Sequence, residues 1–255
     1  MPIIDELIEQ KPQLASLLNL YKKIRRFEDE VCALFSDHSP ASSGVLSGPQ
    51  ISYLPTHVKP IIDLFSSLFN VPEDMLAPVR EAMEKGRMDF TRLPMNEVPS
   101  FLFPYDESEV ATLLFLLGKP FFLMRRKHAN PGNFFWNKGR CPICHGASSL
   151  ASTLCNGERF LHCPYCSFRG TWERTGCPHC QNQNAIALID ASNELGFRLA
   201  VCSACRGYLK IWDQGFGGRL DPDILDLISL PLDILAQGKG FHRPCPNPLG
   251  MRVMV

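Results

Sequence analysis

The sequence has no excess of charge of either sign, since 26 lysines and arginines face 26 aspartates and glutamates among 255 residues. A protein that binds nucleic acid through its phosphates normally carries a basic surface. The charged residues between Cys141 and Cys205 cancel as well. The composition therefore argues against binding of DNA or RNA.

Long hydrophobic runs are also lacking. The longest, from Val110 to Met124, is interrupted by Gly118-Lys119-Pro120 and is too short to cross a bilayer. The N-terminus has no basic start followed by an apolar stretch, which is the pattern of a secretory signal. These absences predict a cytoplasmic protein with no membrane span. In that reducing compartment, paired cysteines are more often metal ligands or redox groups than disulfides.

Motifs of catalysis are missing too. The sequence has no glycine-rich phosphate loop, no His-Glu-x-x-His metalloprotease pattern and no nucleophile elbow. Its aspartates and glutamates are scattered and form no recognisable acid/base pair. We therefore expect a protein that is not an enzyme, with no catalytic residues.

Cysteine is abundant: the chain has eleven, and eight of them form four Cys-x-x-Cys pairs. Each pair places two sulfurs on one tight turn, and two facing pairs supply the four thiolates that a tetrahedral zinc or iron ion takes. Four pairs therefore predict two metal ions. The predicted ligands are Cys141, Cys144, Cys163, Cys166, Cys177, Cys180, Cys202 and Cys205.

The sequence between the pairs predicts two hairpins. Residues 149–154 and 158–162 are strand-like and are joined by Asn156-Gly157, which is typical of a type I′ turn. Residues 185–190 and 197–201 repeat the pattern. Closure of each hairpin favours sequential pairing, in which the first two Cys pairs hold one ion and the last two hold the other. Interleaved pairing, first with third and second with fourth, is the alternative.

The first half of the chain is predicted to be helical. Apolar residues recur at steps of three and four after Pro12, and shorter helices are expected over residues 60–69 and after Pro72. Asp106 and Glu109 have capping-box spacing at the start of a helix that Lys119-Pro120 is expected to break.

The fold class expected from these patterns is α+β. An all-α helical domain (1–133) precedes two tandem metal ribbons, the first at 134–175 and the second, with a C-terminal helix and tail, at 176–255. These small ribbons would need their ions in order to fold. If one cysteine failed to ligate, His145 or His179 would be the substitute.

The cysteine region resembles that of the FdhE-type formate dehydrogenase accessory proteins. Trp136 ahead of the first pair and His162 directly before Cys163 match the family. The most specific match is Cys202-Ser203-Ala204-Cys205-Arg206-Gly207-Tyr208-Leu209-Lys210, and segments of the C-terminal region up to Pro248 match as well. The chain departs from the family at Gly170, where a tryptophan is usual.

The resemblance implies two rubredoxin-like sites in a non-catalytic factor that binds the catalytic subunit of formate dehydrogenase during maturation in the cytoplasm. It favours iron in both sites, with zinc as the alternative. Two further hypotheses are a zinc-ribbon protein that binds nucleic acid or acts as an adaptor, and a thiol redox protein that uses one Cys-x-x-Cys pair. The sequence does not predict an oligomeric state.

Overall fold

The helices of the N-terminal half pack together ahead of a β-sheet in the C-terminal half. A computed structural model describes residues 2–34, 55–95, 106–129, 136, 139–172, 176–190, 196–213 and 220–254. The α+β class is as predicted. The expected domain boundaries at 133/134 and 175/176 fall on or beside residues outside these ranges, so they stay predictions.

Five helices form the N-terminal half of the described chain: α1 (Pro2–Gln10), α2 (Ala15–Leu34), α3 (Pro55–Phe69), α4 (Glu73–Glu84) and α5 (Glu107–His128). Short 3-10 turns lie at Pro12–Leu14 and Phe90–Met95. The predicted capping box starts α5, because Asp106 accepts hydrogen bonds from the backbone N–H groups of Ser108 and Glu109. Glu109 in turn accepts one from the backbone N–H of Asp106, at 3.2 Å. No described helix is both long and apolar enough to span a bilayer.

The expected break at Lys119-Pro120 is wrong, since α5 continues through Pro120 to His128. Proline costs the helix one backbone hydrogen bond. Packing offsets this cost, because α5 lies against α2 and buries Lys119 completely. Lys119 Nζ lies 2.6 Å from Asp223 and 3.3 Å from Glu28.

In the described chain, six strands form one sheet in the order β3-β2-β1-β6-β5-β4. The strands are β1 (Leu150–Thr153), β2 (Arg159–His162), β3 (Arg169–Thr171), β4 (Ile186–Asp190), β5 (Phe197–Cys202) and β6 (Tyr208–Asp213). Both predicted hairpins are present, as β1–β2 and β4–β5. Parallel pairing of β1 with β6, with Leu150 opposite Lys210, joins the two hairpins into a continuous sheet.

The turn between β1 and β2 differs from the predicted type I′. That type needs positive φ at both central residues, but only Gly157 has it, at 85°, and Asn156 does not. The Gly157 N–H donates to Leu154 O at 2.9 Å, and the Leu154 N–H donates to Glu158 O at 2.9 Å. This is a turn closed by a glycine bulge, in which the glycine supplies the left-handed conformation.

Two of the described helices cover one face of the sheet: α6 (Pro222–Ile228) and α7 (Leu230–Gly238). Buried charges hold them in place. Lys210 Nζ of β6 lies 2.5 Å from Asp226 of α6 and 2.6 Å from Asp233 of α7. Arg243 in the tail pairs with the same two carboxylates. Sheet, helices and tail are therefore tied by one buried ionic cluster.

Helix α6 also contacts the N-terminal half. Asp223 accepts from Lys119 of α5 at 2.6 Å and from Tyr21 Oη of α2 at 3.3 Å. Burial opposes the charge on Lys119, but Asp223 and Glu28 raise its pKa above the ordinary value. Two carboxylates of one short helix, Asp223 and Asp226, thus connect the helical half to the sheet.

We expect Lys119→Met to lower the free energy of unfolding by about 3–5 kcal/mol, because it leaves Glu28 and Asp223 without their shared buried cation. Lys85→Met is the matched control, since it removes only an exposed pair with Glu81 and should cost less than about 1 kcal/mol. Urea unfolding of the metal-loaded protein, followed by circular dichroism, measures both losses. Equal losses of unfolding free energy in the two variants would contradict the role of Lys119 as the buried cation shared by Glu28 and Asp223.

Candidate metal centres

All four Cys-x-x-Cys pairs adopt the same kind of turn. In each turn the backbone N–H of the first cysteine donates to the carbonyl five residues later. The four bonds, each 2.9 Å long, run from Cys141 to Gly146, Cys163 to Phe168, Cys177 to Asn182 and Cys202 to Gly207. The turns have the shape of metal-binding knuckles, and each places the sulfurs of its two cysteines on the same side of the turn.

The residue after the second cysteine has a left-handed backbone in every knuckle. Its φ is 62° at His145, 53° at Ser167, 64° at Gln181 and 59° at Arg206. Side chains rarely adopt this conformation, yet four of the five non-glycine residues with positive φ in the described chain are these four. The turn costs backbone strain, which a metal ion bound at the sulfurs would offset.

The first candidate site consists of Cys141, Cys144, Cys163 and Cys166, all buried. The Sγ atoms of Cys141 and Cys166 are 3.5 Å apart, and those of Cys144 and Cys163 are 3.3 Å apart. The site lies at the open end of the β1–β2 hairpin, where the first two knuckles face each other.

The second candidate site consists of Cys177, Cys180, Cys202 and Cys205. Its Sγ distances are 3.6 Å between Cys177 and Cys205 and 3.6 Å between Cys180 and Cys202. In both groups all four sulfurs lie within 4.8 Å of one another. The sequential pairing is therefore confirmed over the interleaved one.

The donor set fits a tetrahedral ion. Four sulfurs at about 2.3 Å from zinc are about 3.8 Å from one another, close to the distances in both groups. A disulfide would need sulfurs about 2.05 Å apart, and all eight cysteines are free thiols. Iron accepts the same four-thiolate tetrahedron, so the geometry suits either metal.

The electrostatics of the first site also favour a bound cation. Burial raises the pKa of Cys144 and Cys163 well above the ordinary value. Burial opposes ionisation of Cys141 too, but hydrogen bonds from Cys144, Cys163 and Cys166 lower its pKa. One thiolate can therefore be stabilised by its three neighbours, whereas ionisation of all four requires a bound metal.

The first site is anchored to the helical half by Tyr165, which stands inside the second knuckle. Its ring makes edge contacts with Phe115 and Phe122 of α5, at centroid distances of 5.2 and 5.5 Å. Its hydroxyl donates to Leu93 O at 3.3 Å. Arg126 of α5 also donates to Ser167 O, at 2.5 Å. Helix α5 thus covers this site and shields it from solvent.

The second site is more open. Cys180 is exposed and Cys205 is partly exposed. Its fourth knuckle is held by the tail, because Arg206 donates to Lys239 O at 2.9 Å and Gly240 O at 3.2 Å and lies over the ring of Phe241. Burial disfavours the Cys202 thiolate, but the N–H groups of Cys205 and Ala204 lower its pKa to about 7.

The remaining cysteines and histidines lie outside both groups. Cys32 Sγ contacts Pro120 O at 3.7 Å, Cys155 is exposed, and Cys245 is buried with its Sγ 2.9 Å from Ser149 Oγ. His145 is exposed, and neither it nor His179 belongs to a sulfur group. The anchoring by Tyr165 and the left-handed residues were not predicted from the sequence.

Comparison with known proteins places these sites in context. Residues 175–249, which include the second site and both C-terminal helices, match the family model described as FdhE, C-terminal domain. The "Protein FdhE homolog" of Aquifex aeolicus (strain VF5) is 33% identical over 121 residues, covering 45% of this chain and 43% of that protein. The "Protein FdhE homolog" of Haemophilus influenzae (strain PittGG) is 32% identical over 117 residues, covering 44% and 38%.

The whole fold is similar to the crystal structure of the FdhE protein from Pseudomonas aeruginosa, with a TM-score of 0.66 and 18% identity. This likeness covers 96% of the present chain and 92% of the other, so it includes the helical half. The predicted resemblance to FdhE-type proteins is confirmed. The matched segment spans less than half the length of the curated FdhE relatives named above.

The two sites should release metal at different rates. A chelator in excess should remove one ion per chain quickly, from the second site with its exposed Cys180, and the other slowly, because α5 covers the first site. Cys202→Ser should abolish the fast phase and keep the slow one. Cys155→Ser is the control and should keep both. Release in a single phase, or loss of the slow phase in Cys202→Ser, would contradict this prediction.

Proposed function

We propose that the chain is a non-catalytic accessory factor for formate dehydrogenase. It binds the catalytic subunit of that enzyme during maturation in the cytoplasm, and its eight cysteines hold two metal ions. Iron is the ion favoured by the family resemblance, with zinc as the alternative. The observation that carries the proposal is the pair of four-sulfur groups in one sheet of a chain similar to FdhE proteins.

The chemistry of the sites supports a non-catalytic role. Catalytic zinc sites keep one coordination position open for water or substrate, whereas four protein ligands close the tetrahedron. Both groups offer four sulfurs. A bound ion would therefore hold the fold, and iron could in addition exchange one electron.

Two observations make the other hypotheses weaker. A thiol redox protein needs a Cys-x-x-Cys pair free to form a disulfide, but each of the four pairs here faces a second pair across 3.3–3.6 Å. A nucleic-acid-binding protein needs excess positive charge, and the chain has a net charge of zero.

Capture of the catalytic subunit of formate dehydrogenase by the immobilised metal-loaded chain tests the proposal. We expect capture by the wild type and by Cys155→Ser, and weaker capture by Cys202→Ser, because loss of one ligand disrupts the second site. The metal content of each variant is measured in parallel. Absence of capture by the metal-loaded wild type, under both reducing and oxidising conditions, would refute the proposal.

A further inference from the structure

The sheet face opposite α6 and α7 carries a groove of about 450 Å³. Successive side chains of a strand point to opposite faces. Since Lys210 of β6 points to α6 and α7, its neighbours Leu209 and Ile211 point to the other face, and both line the groove. The apolar lining consists of Trp172, Ile186, Leu188, Ala200, Leu209 and Ile211. We call this cavity the sheet groove.

The second metal site forms one end of the sheet groove. Cys177 and Cys202 of that site and Pro178 of its knuckle belong to the lining. The chain ahead of the first knuckle also reaches this end, because a Cβ atom on Gly139, whose φ is 64°, would lie 1.7 Å from Pro178 O. The shape of the groove therefore depends on an intact second site.

The opposite end of the sheet groove is an open strand edge. Strand β4 is at the edge of the described sheet, and its Leu188 is 58% exposed. Large aliphatic side chains next to an apolar cavity and a free strand edge are typical of a surface that receives another polypeptide. An extended segment could lie along this edge and place its apolar side chains in the cavity.

The charge of the sheet groove selects the kind of segment. Arg159 and Arg198 line it, and no acidic residue whose side chain the structure describes does. Among the described residues, neither guanidinium takes part in an ion pair. Two arginines beside an apolar lining complement a segment that carries both aliphatic and carboxylate side chains.

We propose that the sheet groove is the docking site for the partner protein. Its occupant is an extended segment of the formate dehydrogenase catalytic subunit, with aliphatic residues that enter the groove and an aspartate or glutamate that pairs with Arg159 or Arg198. This inference rests on the proposed function, because the identity of the partner comes from there. Docking beside the second metal site also makes binding depend on the ion in that site.

Substitutions at exposed or half-buried positions test the docking site without disturbing the core. Leu188→Asp and the double variant Arg159→Glu/Arg198→Glu change the groove. Ile234→Asp and Arg87→Glu are the matched controls, because Ile234 is 49% exposed on α7, on the other side of the sheet, and Arg87 is exposed after α4. Circular dichroism and metal content verify that each variant folds. Arg198→Lys, which keeps the charge, serves as a conservative variant.

The measurement is the dissociation constant for the purified catalytic subunit. We expect both groove variants to weaken binding by about tenfold or more, and the controls and Arg198→Lys to stay within about threefold of the wild type. If the wild type binds and the groove variants bind equally well, the docking inference is wrong while the proposed function stands. If the metal-loaded wild type does not bind, both are wrong.

Sedimentation of the chain alone gives a second readout. If the wild type self-associates and Leu188→Asp abolishes this without changing the affinity for the catalytic subunit, the groove receives a second copy of the chain, and the proposed occupant is wrong. An unchanged sedimentation coefficient in Leu188→Asp, together with its loss of subunit binding, supports the proposal.

Discussion

The convergence of four sulfurs at each of two points is the constraint on which the C-terminal half depends. The strands are three to six residues long, and hairpins of this size are marginally stable alone. Each knuckle also places a side-chain-bearing residue in a left-handed backbone. Free energy of metal binding would offset both costs, and binding and folding of this half would then be coupled.

The two sites have different surroundings although their knuckles are alike. The first lies under α5, with Tyr165 inserted between helices and sheet. The second lies beside the sheet groove, with an exposed ligand candidate in Cys180. Helix α6 holds the two halves together through Asp223 and Asp226. In this arrangement the first site lies at the junction of the halves, and the second lies beside the groove that we propose as the docking surface.

Local patterns in the sequence predicted much of this fold. Cysteine spacing predicted the two groups and hairpin closure their pairing, and the Asp106 capping box predicted the start of α5. The features of the fold that were not predicted from the sequence depend on tertiary contacts. Parallel pairing of β1 with β6 joins residues 60 apart in sequence. Helix α5 continues through Pro120 because Lys119 forms buried ion pairs with Glu28 and Asp223. No local sequence pattern indicates these two features, since the β1–β6 pairing and the continuation of α5 both depend on packing of distant segments.

X-ray absorption spectroscopy of protein purified at native expression levels tests the central claim, that the eight cysteines hold two ions. We expect two ions per chain and a first shell of four sulfurs per ion at about 2.3 Å, and the absorption edge identifies iron or zinc. One ion per chain, or a nitrogen ligand from a histidine such as His145 or His179 in the first shell, would contradict the account.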